Sequence, residues 1–161
     1  MADKRKKSTF ADAMEEKEKL FDVKRMPLSW QVCFLSECPV KEQCLRQLAV
    51  GFVSDERDFG PAVYPTMKVD EHGCRLFVKA ETKRMAWGFK TLFSDVKSRH
   101  EQALRNSLKV YLGGHSSFYR YNRGERLLNT EQQDWILNLF RQYGYTDNLT
   151  FDHFVETYEY E

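Results

Sequence analysis

The chain has 161 residues, of which 42% are hydrophobic and 30% are charged, and its formal net charge is +1 at pH 7. This length allows one globular domain or two small ones. No apolar run approaches the roughly 18 residues of a membrane span. The basic Lys4–Lys7 is followed by charged rather than apolar residues, so a secretory signal is not expected. We therefore expect a cytoplasmic protein with reduced thiols.

The charges are unevenly distributed along the chain. Residues 79–126 hold 11 basic and 4 acidic side chains, whereas residues 127–161 hold 1 basic and 7 acidic side chains. A basic segment followed by an acidic tail is typical of a polyanion-binding protein. Two solvated faces that partly neutralise each other would give the same pattern. Both interpretations remain open.

The cysteine-containing half is predicted to span residues 27–95, after a charged flexible arm or frayed helix at 1–26. Pro39 suits the first position of a short helix. Val40, Cys44 and Leu48 then share one helical face, and Gly51 is expected to end the helix in the left-handed conformation. Residues 53–73 are rich in Pro and Gly and indicate an irregular connection.

A small β element is expected near residues 74–93. Residues 76–78 are a candidate strand, and residues 84–94 are apolar enough for either a strand or a helix. With helices on both sides of this element, the predicted fold class is mainly α, that is, α+β with a small β element.

The half at residues 96–161 is predicted to be helical, basic and aromatic, with an acidic tail. A helical period runs from Val96 to Leu112 and ends at Gly113-Gly114. A short helix at 115–124 and a longer helix that stops at Gly144 should follow. Asn129 and Gln132 have the spacing of a capping box for the longer helix. Residues 151–158 indicate a final short helix.

The four cysteines follow the pattern Cys33-x4-Cys38-x5-Cys44-x29-Cys74. Thiolates that converge from separate segments are the ligands that zinc and iron–sulfur clusters require. Cys33, Cys38, Cys44 and Cys74 are therefore candidate metal ligands. Alternatively, the cysteines are inert or redox-sensitive thiols or, less favoured, form a structural disulfide. Cys44, between Val40 and Leu48, would then be a core residue, because free cysteine is often buried.

One local motif resembles a known metal site. Cys38-Pro39-Val40-Lys41, with Cys44-Leu45 after it, looks like the core of the WhiB-type iron–sulfur regulators. The resemblance implies that Cys33, Cys38, Cys44 and Cys74 are cluster ligands.

Over most of its length the chain is similar to an uncharacterised, domain-of-unknown-function family of anaerobic gut bacteria. The similarity lies in Glu37-Cys-Pro-Val-Lys-Glu-Gln-Cys-Leu-Arg46 and in Ser117-Phe-Tyr-Arg-Tyr-Asn-Arg-Gly-Glu-Arg-Leu-Leu128, followed by the helix that contains Glu131-Gln-Gln. It supports the boundaries of the elements and implies no mechanism.

Residues 108–139 resemble a repressor-type helix-turn-helix. In such modules a leucine-rich helix ends in Gly, and a Ser-rich turn leads into a helix rich in Tyr and Arg. The resemblance implies that duplex DNA contacts Ser116, Ser117, Arg120 and Arg123. Lys109 and Arg126 would add sequence-independent attraction. The alternative is a helix hairpin with a Tyr/Phe core.

The sequence favours a non-enzymatic protein without deciding the matter. It contains no Walker loop, G-x-G-x-x-G, G-x-S-x-G or H-E-x-x-H motif. The leading hypothesis is a small protein that binds zinc or an iron–sulfur cluster and acts as a DNA-binding or redox-responsive regulator. The alternative is a metal-stapled or thiol-containing protein that binds another protein and no nucleic acid.

Overall fold

A computed structural model describes Phe21 and residues 25–53 and 58–160. The predicted arm at residues 1–26 lies almost wholly outside these residues. The chain divides into two compact units. The first comprises residues up to Thr82 together with the chain from Tyr158 onwards, and the second is Lys83–Thr157. The fold is α+β, as predicted.

The described residues of the first unit form little regular structure. Strand β1 (Val32–Cys33) pairs in parallel with β2 (Ala62–Val63), with Val32 opposite Ala62 and Cys33 opposite Val63. A 3₁₀ turn at Lys41–Gln43, helix α1 (Leu45–Leu48) and a second 3₁₀ turn at Ala49–Phe52 lie between the two strands along the chain. Val53 and most of residues 58–73 are irregular, as expected, apart from β2.

The short helix predicted to start at Pro39 is corrected in two respects. Cys44 has an extended backbone and forms a bridge with Lys79, so it separates the 3₁₀ turn from α1. Gly51 lies inside the second 3₁₀ turn and is not left-handed. The cause is a non-local contact, because the N–H of Leu45 donates to the carbonyl oxygen of Val78 at 2.7 Å.

The candidate strand at residues 76–78 is also corrected. Phe77 N–H donates to the carbonyl oxygen of Cys74 at 2.9 Å, which closes a turn instead of extending a strand. Val78 of this segment packs against the buried cluster of the first unit. That cluster consists of Phe21, Met26, Trp30, Val32, Leu45, Ala49 and Tyr158.

The second unit contains four helices and a two-stranded sheet within the described residues. Strand β3 (Thr82–Trp87) is hydrogen-bonded to β4 (His153–Tyr158), and each strand runs one residue beyond the unit. The helices are α2 (Lys90–Phe93), α3 (Ser98–Tyr111), α4 (His115–Asn122) and α5 (Thr130–Gln142). Segment 84–94 thus holds both a strand and a helix.

The helix predicted at residues 151–158 was wrong, because this segment forms β4. Its aromatic and β-branched residues favour a strand once a partner is available. That partner, β3, lies more than sixty residues earlier, so the pairing leaves no local signal.

Helices α3 and α5 end where local signals predict. Gly113 and Gly144 follow α3 and α5 with positive φ angles of 86° and 87°. Asn129 and Gln132 form the predicted capping box at the start of α5. The helices enclose a core of Ala86, Phe89, Leu92, Leu104, Leu108, Leu112, Phe118, Tyr121, Leu128, Ile136, Phe140 and Phe151. Among the described residues, no helix combines the length and apolar character of a membrane span.

Candidate nucleic-acid interface and thiol cluster

Helices α3 and α4 are joined by a tight turn. Only Leu112, Gly113 and Gly114 separate them. Gly113 and Gly114 have φ angles of 86° and 109°, which a residue with a side chain rarely adopts. Phe118 and Tyr121 anchor α4 to the core. A short turn that contains glycine is one feature of helix-turn-helix motifs.

The solvent face of α4 carries three of the six residues that the sequence selected for DNA binding. Ser116, Arg120 and Arg123 are exposed at helical spacings of three to four residues, and Tyr119 lies between them. Such spacing places side chains on one face of a helix. Arg126 is also exposed, whereas Ser117 and Lys109 are half-buried.

Two residues of this face were missed by the sequence analysis. Tyr119 is 38% exposed, and the ring of His115 lies 4.7 Å from its ring. The alternative interpretation gave the Tyr and Phe residues of this segment a place in the core, since an aromatic residue in a helix is usually buried, and the sequence analysis gave His115 no role. The exposure of Tyr119 follows from its place beside the buried Phe118, on the opposite side of α4 from the core.

Glu125 forms ion pairs with both arginines of the face. Its carboxylate oxygens lie 2.7 Å from Arg123 Nε and 3.5 Å from Arg120 Nε. The N–H of Glu125 donates to the carbonyl oxygen of Arg120, which holds the carboxylate in place. The hydrogen bond from Arg123 lowers the pKa of Glu125, and the same bond raises the pKa of Arg123. The two guanidinium groups thus converge on one oxyanion.

Helix α4 is fixed at its C-terminal end by polar contacts with the segment after β3. Asn122 Oδ1 accepts the N–H of Phe89 at 3.0 Å, and the carbonyl oxygen of Tyr121 accepts the N–H of Gly88 at 3.3 Å. These contacts, with the buried Phe118, give the exposed face a defined orientation within the second unit.

The predicted thiols lie in the first unit. Cys33 and Cys44 are buried, Cys38 and Cys74 are half-buried, and all four are free. Cys33 accepts a hydrogen bond from Gln47 Nε2 at 3.5 Å. Cys38 lines a groove of about 820 Å³ together with Phe34 and Asp70.

Arg46 interacts electrostatically with three of these thiols and was not selected from the sequence. Only 8% of this residue is exposed. Burial lowers the pKa of Arg46, and the nearby Cys44, Cys74 and Cys33 partly offset that effect. Cys38 makes no such contribution. No sequence signal marked Arg46, because a single arginine in a charged stretch is usually solvated.

Among residues 25–53 and 58–160 together with Phe21, no group of three or more His, Cys, Asp or Glu side chains is placed to hold a metal ion. Binding of zinc or an iron–sulfur cluster by Cys33, Cys38, Cys44 and Cys74 stays a prediction.

The fold and these sites define an α+β protein with a cysteine-containing unit and a helical, basic unit. The chain belongs to a family of unknown function, DUF6078, whose model matches residues 14–160. Neither a curated protein nor a solved structure matches the chain.

Proposed function

We propose that the protein is a non-enzymatic regulator that binds duplex DNA through the exposed face of α4. The observation that carries this proposal is the placement of Ser116, Tyr119, Arg120 and Arg123 on one exposed helical face, directly after a three-residue turn. A helix in this position is the element that a helix-turn-helix protein inserts into the major groove.

The chemistry of the face suits phosphate and base edges. Guanidinium groups bind phosphate oxygens with two parallel hydrogen bonds, and a hydroxyl such as that of Ser116 adds a weaker contact. Convergence of Arg120 and Arg123 on the Glu125 carboxylate supports the proposal, because the two side chains already reach a common oxyanion. A phosphodiester would replace the carboxylate there.

The test is fluorescence anisotropy with a labelled duplex of mixed sequence, measured over a range of salt concentrations. Wild-type affinity should fall steeply as salt rises, because each phosphate contact releases counterions. The double variant Arg120→Ala/Arg123→Ala should lower the salt slope by about two and the affinity by roughly tenfold or more.

A double variant with the same loss of charge serves as the control. Arg75→Ala/Arg141→Ala removes two exposed arginines that lie outside α4. It should retain the wild-type salt slope. Equal losses in the two double variants would show that net charge, not the α4 face, attracts the duplex. Absence of salt-dependent binding in the wild type would favour the protein-binding alternative.

A further inference from the structure

Arg46 is a buried cation without a carboxylate partner among the described residues. Its Nε donates to the carbonyl oxygen of Leu76 at 2.8 Å, and its Nη1 donates to the backbone and side-chain oxygens of Gln31, both at 2.9 Å. Its guanidinium carbon lies 4.1 Å from the ring centroid of Trp30. Arginine is rarely buried unless it is paired with an anion. A buried arginine held by carbonyl oxygens is therefore unusual and suggests a functional role.

These hydrogen bonds bring three thiol-bearing segments to one group. Leu76 is two residues after Cys74, and Gln31 is two residues before Cys33. Cys44 precedes Arg46 by two residues, and the next residue, Gln47, donates to the sulfur of Cys33. Arg46 therefore links segments that are distant in sequence.

The three thiols differ in their exposure. Cys33 and Cys44 are buried among the core residues. Cys74 is half-buried and is the one thiol of these three that solvent reaches to a moderate extent. Reactive cysteines are found in partly exposed places beside positive charge, whereas inert structural cysteines are found in apolar ones.

We propose that Cys33, Cys44 and Cys74 form a peroxide-sensitive thiol centre organised by Arg46, in which Cys74 reacts first. Its sulfur attacks a peroxide oxygen, the O–O bond breaks, and the thiol proton passes to the departing oxygen. The products are a sulfenic acid and water, or an alcohol from an organic peroxide. The guanidinium stabilises the negative charge that develops on the departing oxygen.

A second thiol completes the reaction. The sulfur of Cys33 or Cys44 attacks the sulfenic sulfur, an S–S bond forms, and the hydroxyl group leaves with the second thiol proton as water. Two thiols are thereby oxidised by two electrons in total, and one peroxide is reduced. This centre lies in the first unit and does not depend on the proposed DNA binding.

The experiment treats the reduced full-length protein with one equivalent of hydrogen peroxide, alkylates the remaining thiols, and maps peptides by mass spectrometry. The expected result is a disulfide that joins Cys74 to Cys33 or Cys44. Cys74→Ser should abolish it. Cys38→Ser should leave it unchanged, although Cys38 is also half-buried and lines a groove.

The role of Arg46 is tested with Arg46→Met, which should slow the loss of the first thiol by roughly a hundredfold, the lower end of the effect expected when one electrostatic donor is lost. Circular dichroism checks that Arg46→Met folds. If Arg46→Met does not fold, Cys74→Ser and Cys38→Ser still test the proposal. Three results would each overturn the proposal. They are a disulfide that contains Cys38, direct conversion of Cys74 to a sulfinic acid, and stoichiometric metal that protects the thiols.

Discussion

The carboxylate of Asp152 accepts the backbone N–H of Thr91 at 2.6 Å, although the two residues are 61 positions apart. Its other oxygen accepts the N–H of Lys90 at 2.9 Å, so the side chain satisfies the first turn of α2 from a distant segment. Gly88 makes room for this contact, since a Cβ there would lie 2.5 Å from the Asp152 carboxylate. Asp152 thus fixes the region between β3 and α2 next to β4.

Replacement of Asp152 by alanine should lower the free energy of unfolding by about 1–2 kcal/mol, as for the loss of a helix cap. Burial acts to raise the pKa of Asp152, but hydrogen bonds from Thr91 and Lys90 outweigh it and lower the pKa. The stabilisation should therefore be complete above the unfolded-state pKa of about 3.9 and be lost as the pH falls through the lower folded value.

Urea denaturation at several pH values measures this effect. The difference between wild type and Asp152→Ala should be constant near neutral pH and should shrink in acid. If the difference in unfolding free energy between wild type and Asp152→Ala grows as the pH falls, the pKa of Asp152 is not lowered in the folded state.

Arg46 is expected to stabilise the first unit. In Arg46→Met the carbonyl oxygens of Leu76 and Gln31 lose their charged donor, so we expect a loss of roughly 2–4 kcal/mol. Arg46→Lys should recover little of it, because an ammonium group cannot reproduce the planar fork. The control Arg75→Met removes an exposed arginine and should change stability by less than about 0.5 kcal/mol. An Arg46→Met variant as stable as wild type would show that the buried cation is dispensable.

The capping box of α5 gives a local prediction. Asn129 Oδ1 accepts the N–H of Gln132 at 2.9 Å, and Gln132 Oε1 accepts the N–H of Asn129 at 3.1 Å. Asn129→Ala should therefore lower stability by about 1 kcal/mol, and Asn129→Ser should retain most of it. Asn138→Ala, at an exposed position of the same helix, is the matched control and should have almost no effect. Thermal unfolding compares the variants.

Sequence reasoning succeeded where the determining contacts are local. Asn129 and Gln132 are three residues apart, and Gly113 and Gly144 act on the helices directly before them, so each signal lies within one or two turns of chain. Arg120 and Arg123 were selected through the resemblance to a repressor-type helix-turn-helix, and both are exposed.

The errors concern contacts between distant segments. Strand β4 forms by pairing with β3, and the extended backbone of Cys44 forms a bridge with Lys79. The buried guanidinium of Arg46 donates to the carbonyl oxygens of Leu76 and Gln31, each two residues from a cysteine. None of these partners is marked by the spacing of residues around the segment itself. Arg46 was consequently missed, although it interacts electrostatically with three of the four selected cysteines.

Glu125 should compete with DNA for Arg120 and Arg123. In Glu125→Gln the two guanidinium groups are released from the carboxylate, so duplex affinity at low salt should rise roughly threefold, as expected for one screened surface charge. Glu131→Gln removes an exposed acidic residue of α5 and is the control for net charge. Anisotropy titrations measure the duplex affinity of both variants. An equal rise in affinity for both would show that net charge alone causes it.

The most direct test of the proposed DNA binding is a nuclear magnetic resonance titration of isotope-labelled protein with a short duplex. The backbone amides of residues 115–123 and the Nε–H signals of Arg120 and Arg123 should shift first and furthest, and added salt should reverse the shifts. If the duplex moves signals elsewhere while those of α4 stay unchanged, the proposed interface is wrong.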